Sequence, residues 1–117
     1  MPSGDDILFS PMLLACGDLC DAAGEPDVAI SMYQRVLKMV RDVPSAQLGS
    51  LEDLAILNLY MAQAMNGLGL SHFNAGRKDE ALVWLEKAVD VFTECCGADD
   101  TETLAVRENL ETIRSAG

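Results

Sequence analysis

The chain has 117 residues, half of them apolar but only 5% aromatic, which suits one domain with an aliphatic core. Asp and Glu outnumber Lys and Arg by 19 to 8, giving a net charge of −11. Such a surface repels nucleic acid and anionic membrane alike and favours a basic protein surface as partner.

The opening Met-Pro-Ser-Gly-Asp-Asp lacks the positive start and apolar run of a secretory signal. The four Cys, at 16, 20, 95 and 96, carry no mark of an oxidising compartment, so reduced thiols and a cytoplasmic location are expected. Ser10-Pro11 reads as an N-cap followed by Pro at the first helical position. The helix it opens runs to about Ala23, where Gly24 ends it. Pro26 opens a second helix, in which Val28, Ala29, Met32, Tyr33, Val36, Leu37 and Val40 form one apolar stripe. Arg35, Lys38 and Arg41 lie off that stripe, toward the end where cations favour the helix dipole. Pro44 to Gly49 is a break. Ser50 and Asp53 resemble a capping box, with Asp in place of Glu, before a long third helix that Gly76 stops.

From Leu54 to Gly76 no residue is charged. Asn58, Gln63, Asn66, His72 and Asn74 interrupt this stretch, so a buried central helix is expected in place of a membrane span. A fourth helix runs from about Asp79 to Cys95 with Ala81, Leu82, Leu85, Ala88, Val89 and Phe92 facing inward, and Gly97 ends it. Asp100 or Thr101 caps a fifth helix in which Leu104, Val106, Leu110 and Ile113 are apolar. No strand-like alternation is present.

The chain repeats itself. Gly17, Gly24, Ala29, Tyr33 and Val36 match Gly69, Gly76, Ala81, Leu85 and Ala88, each pair 52 residues apart. The spacing has a physical use at every step: a Gly for close helix approach, a Gly for the turn, a small Ala against the first helix, then large and small apolar residues along the seam. This pattern resembles the tetratricopeptide repeat, over about residues 10–45 and 62–96. The period departs from the usual one of about 34 residues, and Leu13 and Met65 stand where an aromatic is usual. The extra length is assigned to a longer second helix, the break at 44–49 and an extended third helix. The stretch Ala81 to Leu110, with its turn at Gly97–Asp100, is similar to kinesin-light-chain repeats.

The resemblance implies an all-α fold: a single domain over 1–117, with two antiparallel helix hairpins (about 10–45 and 51–96) and a C-terminal capping helix (about 100–115) in a right-handed superhelix. It implies a protein-binding adaptor or scaffold, not an enzyme, and no cofactor. The concave groove would be lined by Leu14, Asp18 and Asp21 of the first hairpin, Gln63, Asn66, Leu70 and Phe73 of the second, and Glu108 of the last helix, with Pro11, Ala105 and Thr112 beside them. Leu14 and Asp18 stand where domains that grip the acidic tail of heat-shock chaperones carry Lys and Asn. The expected ligand is therefore a basic or amphipathic segment, with Asp18 and Asp21 alternatively a solvated helix face.

The third helix allows a second expectation. A helix that is apolar on most sides is covered on most sides. Its N-terminal half contacts another chain, as a homodimer or within an assembly, or else the 44–50 connection and the fifth helix cover it. Other motifs read as structural. Only the pair Cys16 and Cys20 approximates zinc-knuckle spacing, and both fit packing positions. His72 has no nucleophile motif near it. Asp99, Asp100 and Glu102 form an acidic helix start, without the spacing of a calcium loop.

Overall fold

The helices follow from the punctuation of the chain. A computed structural model describes residues 10–43 and 51–116, with side chains from residue 54 onward in the second stretch. It holds α1 (Ser10–Ala22), α2 (Pro26–Arg41), α3 (Leu51–Asn74), α4 (Lys78–Cys96) and α5 (Thr101–Ser115), and no strand among the described residues. Gly24 and Gly76 both take φ 84°, a conformation that side chains with a Cβ disfavour. Each closes a Schellman turn. Glu25 N–H donates to the Cys20 carbonyl and Gly24 N–H to that of Asp21, and Arg77 and Gly76 repeat the two bonds on His72 and Phe73. Asp100 caps α5 by accepting from Glu102 N–H at 2.9 Å. The pairing of Ser50 with Asp53 and the break at 44–49 lie outside the described residues. Ser10 falls within α1 and its buried Oγ has no partner among the described residues.

Two cores share α3. Leu14, Ala29, Ile30, Tyr33 and Val36 pack with Ala64 and Leu68 of α3. Ala81, Leu85, Ala88, Phe92, Val106, Leu110 and Ile113 pack with Ala62. A helix serving a core on each side has little room for a charged face, which accounts for its uncharged run. Two glycines inside α3 let its neighbours approach. A Cβ on Gly69 would stand 2.5 Å from Leu85 Cγ, and one on Gly67 would stand 2.3 Å from Tyr33 Cζ. Gly17 does the same from α1, where a Cβ would lie 2.8 Å from the Tyr33 ring. The pairs Gly17–Tyr33 and Gly69–Leu85 thus occupy equivalent crossings of the two hairpins.

Four details differ from the sequence expectation. Val28 faces solvent, and Ile30 is buried in its place in the core that Ala29, Tyr33 and Val36 define. In α5 Leu104 is exposed and Thr103 is buried, since a step of three back from Val106 lands on Thr103. Cys16 is exposed and does not pack. The second helix is not the long one: α2 has 16 residues against 19 in α4. The extra spacing lies between the end of α2 at Arg41 and Gly69 of α3.

No helix among the described residues is long and apolar enough to cross a membrane.

Candidate functional site: a groove between α1, α3 and α5

The first helices of the two hairpins, together with α5, enclose a groove of about 400 Å³. Its walls repeat. Pro11, Leu14, Ala15 and Asp18 of α1 line one side, and Gln63, Asn66, Gly67 and Leu70 of α3, each 52 residues further along, line the floor. Glu102, Ala105 and Val106 form the third side, with Phe92 of α4 beneath. These three α5 residues follow Gln63, Asn66 and Gly67 by 39 residues, so the same helix positions recur a third time. Asn109, one further match to Leu70, donates its amide to Asn66 Oδ1 at 3.3 Å and ties α5 to α3.

Of the residues expected in the groove, Leu14, Asp18, Gln63, Asn66 and Leu70 come together there, with Pro11 and Ala105. Three do not. Asp21 lies one turn past Asp18, where both its carboxylate oxygens accept from Asn74 Nδ2 at 3.0 and 2.9 Å. Phe73 packs against the α4–α5 core. Glu108 is exposed, because the 39-residue step places it where Gly69 stands in α3, on the face that receives a paired helix. Ala15, Gly67, Phe92, Glu102 and Val106 were missed. Ala15 and Gly67 carry no chemistry to flag them, and Glu102 reads in sequence only as part of an acidic helix start.

The groove's lining is mixed, with Leu14, Leu70, Phe92 and Val106 beside the amides of Gln63 and Asn66 and two carboxylates. Among the described residues Asp18 and Glu102 are its charged groups, and no Lys, Arg or His lines it. Asp18 accepts a hydrogen bond from the Tyr33 hydroxyl. Burial of Tyr33, reinforced by that bond and by the Asp18 charge, raises the phenol far above its usual range, so it remains a donor.

The other chemistry-bearing side chains lie outside the groove. Buried His72 has Nδ1 at 3.0 Å from both Arg77 Nε and Glu80 Oε2. Desolvation, with help from Arg77, lowers its pKa although Glu80 and Asp27 pull the other way. The imidazole is therefore neutral, with Nδ1 accepting from Arg77. Arg77 also pairs with Asp27 at 2.9 Å, joining the two hairpins at their turns. All four cysteines are free. Cys95 and Cys96 have their sulfurs 3.4 Å apart, and burial, with the Cys96 contact, pushes the Cys95 thiol up to about 11. Among the described residues ligand-type atoms converge only at Cys96, Asp100 and Glu102, where Asp100 already caps α5.

Paired antiparallel helices with equivalent crossings and a groove built from the same positions of successive first helices define a helical-hairpin repeat protein. Residues 61–102, from the middle of α3 through α4 to the start of α5, match the family model for the tetratricopeptide repeat, and this stretch is similar to that repeat. The match is to that repeat in general and does not single out the kinesin-light-chain type. No curated protein and no solved structure matches the chain. Tetratricopeptide repeats mediate protein–protein interaction and form a non-enzymatic module.

Proposed function

We propose that this chain is an adaptor or scaffold module that binds a basic or amphipathic segment of another protein in the groove between α1, α3 and α5, without catalysis, cofactor or metal. The observation that carries this reading is the groove's lining: apolar and amide side chains with two carboxylates, and no basic residue among the described residues. A surface of net charge −11 steers cationic partners toward it and nucleic acid and anionic lipid away. The setting consistent with four free thiols is a reducing, cytoplasmic one.

Filling the groove tests the proposal. Ala105 is exposed and lines it, so Ala105→Trp occupies the space while leaving the cores alone. The expected outcome is a loss of at least about tenfold in affinity for a captured partner, the scale of one blocked anchor site, with an unchanged melting temperature. Glu108→Trp, outside the groove, leaves binding intact. Wild-type affinity in Ala105→Trp overturns the reading.

A second reading has its own observation. Leu54 and Ile56, in the first turns of α3, are 43% and 47% exposed, and Ala55 between them is exposed too. A homodimer or a larger assembly would bury this end of the helix, making the chain a structural subunit.

A further inference from the structure

The two hairpins solve the same packing problem with different residues, and the difference points into the groove. Leu85 fills the crossing at Gly69 with apolar bulk alone. Its equivalent, Tyr33, fills the crossing at Gly17, reaches Gly67 as well, and carries a hydroxyl that wedging does not need. That hydroxyl donates to Asp18. The equivalent of Asp18 in the second hairpin is Leu70, which has nothing to accept. Hydroxyl and carboxylate occur together in one repeat, and both are missing from the other.

We infer that Tyr33 is a positioning residue that fixes the Asp18 carboxylate as an anionic anchor in the groove, and that the groove's ligand is a peptide segment with Lys or Arg side chains flanking an apolar centre. The inference rests on the groove reading above and names its ligand class. Tyr33 is 2% exposed and lies on α2, behind the groove. Its ring passes between two glycines and cannot swing away. Its hydroxyl occupies Asp18 Oδ1, and Oδ2 has no hydrogen bond among the described residues. A cation arriving there meets a carboxylate whose rotamer is already chosen, which removes part of the ordering cost of binding. Glu102, in the first turn of α5, offers the second negative charge on the opposite wall. Between them Leu14, Leu70 and Val106 supply apolar contact, while the amides of Gln63 and Asn66 can bond a backbone. An acidic segment would be repelled by both carboxylates.

The probe is a display library of random twelve-residue peptides, panned against the full chain. The selected peptide is then titrated against Asp18→Asn, Glu102→Gln, Tyr33→Phe and Asp90→Asn. The last removes one charge from the exposed side of α4, outside the groove, and controls for net charge. The expected peptides carry Lys or Arg around apolar residues. Asp18→Asn and Glu102→Gln weaken them about 5–20-fold, as for paired interfacial charges. Tyr33→Phe weakens them about 3–10-fold through lost preorganisation. Asp90→Asn has little effect. With the peptide's cations replaced by Gln, Tyr33→Phe no longer matters, which a merely structural role for the hydroxyl would not produce.

Selected peptides without basic residues overturn the ligand class while the groove reading stands. Equal binding by Tyr33→Phe and wild type overturns the positioning role. Peptides that bind Ala105→Trp unchanged show that the groove is not the site, and both readings fall.

Discussion

His72 shows how one residue's surroundings set a pH dependence. Its nitrogen Nδ1 faces a donor, Arg77, and an acceptor, Glu80, at the same distance, and can serve only one at a time. Burial favours the neutral ring and lowers its pKa. The unfolded chain therefore binds a proton that the folded chain resists, in the window below the ordinary histidine value of about 6.5. Stability rises with pH through that window and falls as the pH drops through it. Chemical unfolding of wild type and His72→Gln at pH 7.5 and pH 5 is expected to show a larger loss in wild type, with Gln keeping an oxygen to accept from Arg77. Equal losses would mean that the ring is not the titrating group. In sequence His72 is merely a lone histidine in an apolar helix. The residues that give it this behaviour follow at a helix turn, and only the fold brings them back to it.

At the scale of elements, the crossings decide what may be changed. Gly69→Ala should gain about 1 kcal/mol of helix propensity, yet the new methyl would meet Leu85 Cγ at 2.5 Å and the Ala81 carbonyl oxygen at 3.2 Å. Leu85 is fully buried and has nowhere to move. Overpacking of this kind typically costs about 1–3 kcal/mol, so a net loss in denaturant stability is expected. In a Leu85→Ala background the same substitution becomes neutral or stabilising, and a double-mutant cycle reads the coupling directly. Additive effects would place the crossing elsewhere. The elements themselves were legible from turn glycines, Pro26 and Asp100, because local punctuation is a property of the chain alone. The phase within α5 was not. Leu104 is the better hydrophobe, and Thr103 is buried because Val106, Leu110 and Ile113 set the inward face around it.

For the molecule as a whole, the uncharged run of α3 was readable as a helix covered on most sides, but its cover was not. Ala62 goes to one core and Ala64 and Leu68 to the other, which accounts for most of the run without a partner chain. What remains exposed is the start of the helix, at Leu54 and Ile56. If that end is an interface between copies, Ile56→Lys should convert a dimer to a monomer in sedimentation velocity, with folding intact because the side chain is already half in solvent. A wild-type chain that sediments as a monomer at tens of micromolar rules out the dimer. In α1 and α3, where the 52-residue step holds, the groove was legible except at Asp21 and Phe73, which were expected there and do not line it. In α5 Ala105 was found, but the next step is 39, so that Glu108 and Thr112 were expected in place of Glu102 and Val106.

A middle helix that belongs to both halves makes the chain indivisible. Separating the first hairpin from the remainder would strip one flank of α3 and leave Ala64 and Leu68 facing water, while the detached pair would lose the surface that Tyr33 is shaped to meet. Neither piece would keep a finished interior. Any attempt to find a smaller binding fragment by trimming from one side is therefore expected to yield sticky, poorly soluble peptides before it yields a minimal recognition unit.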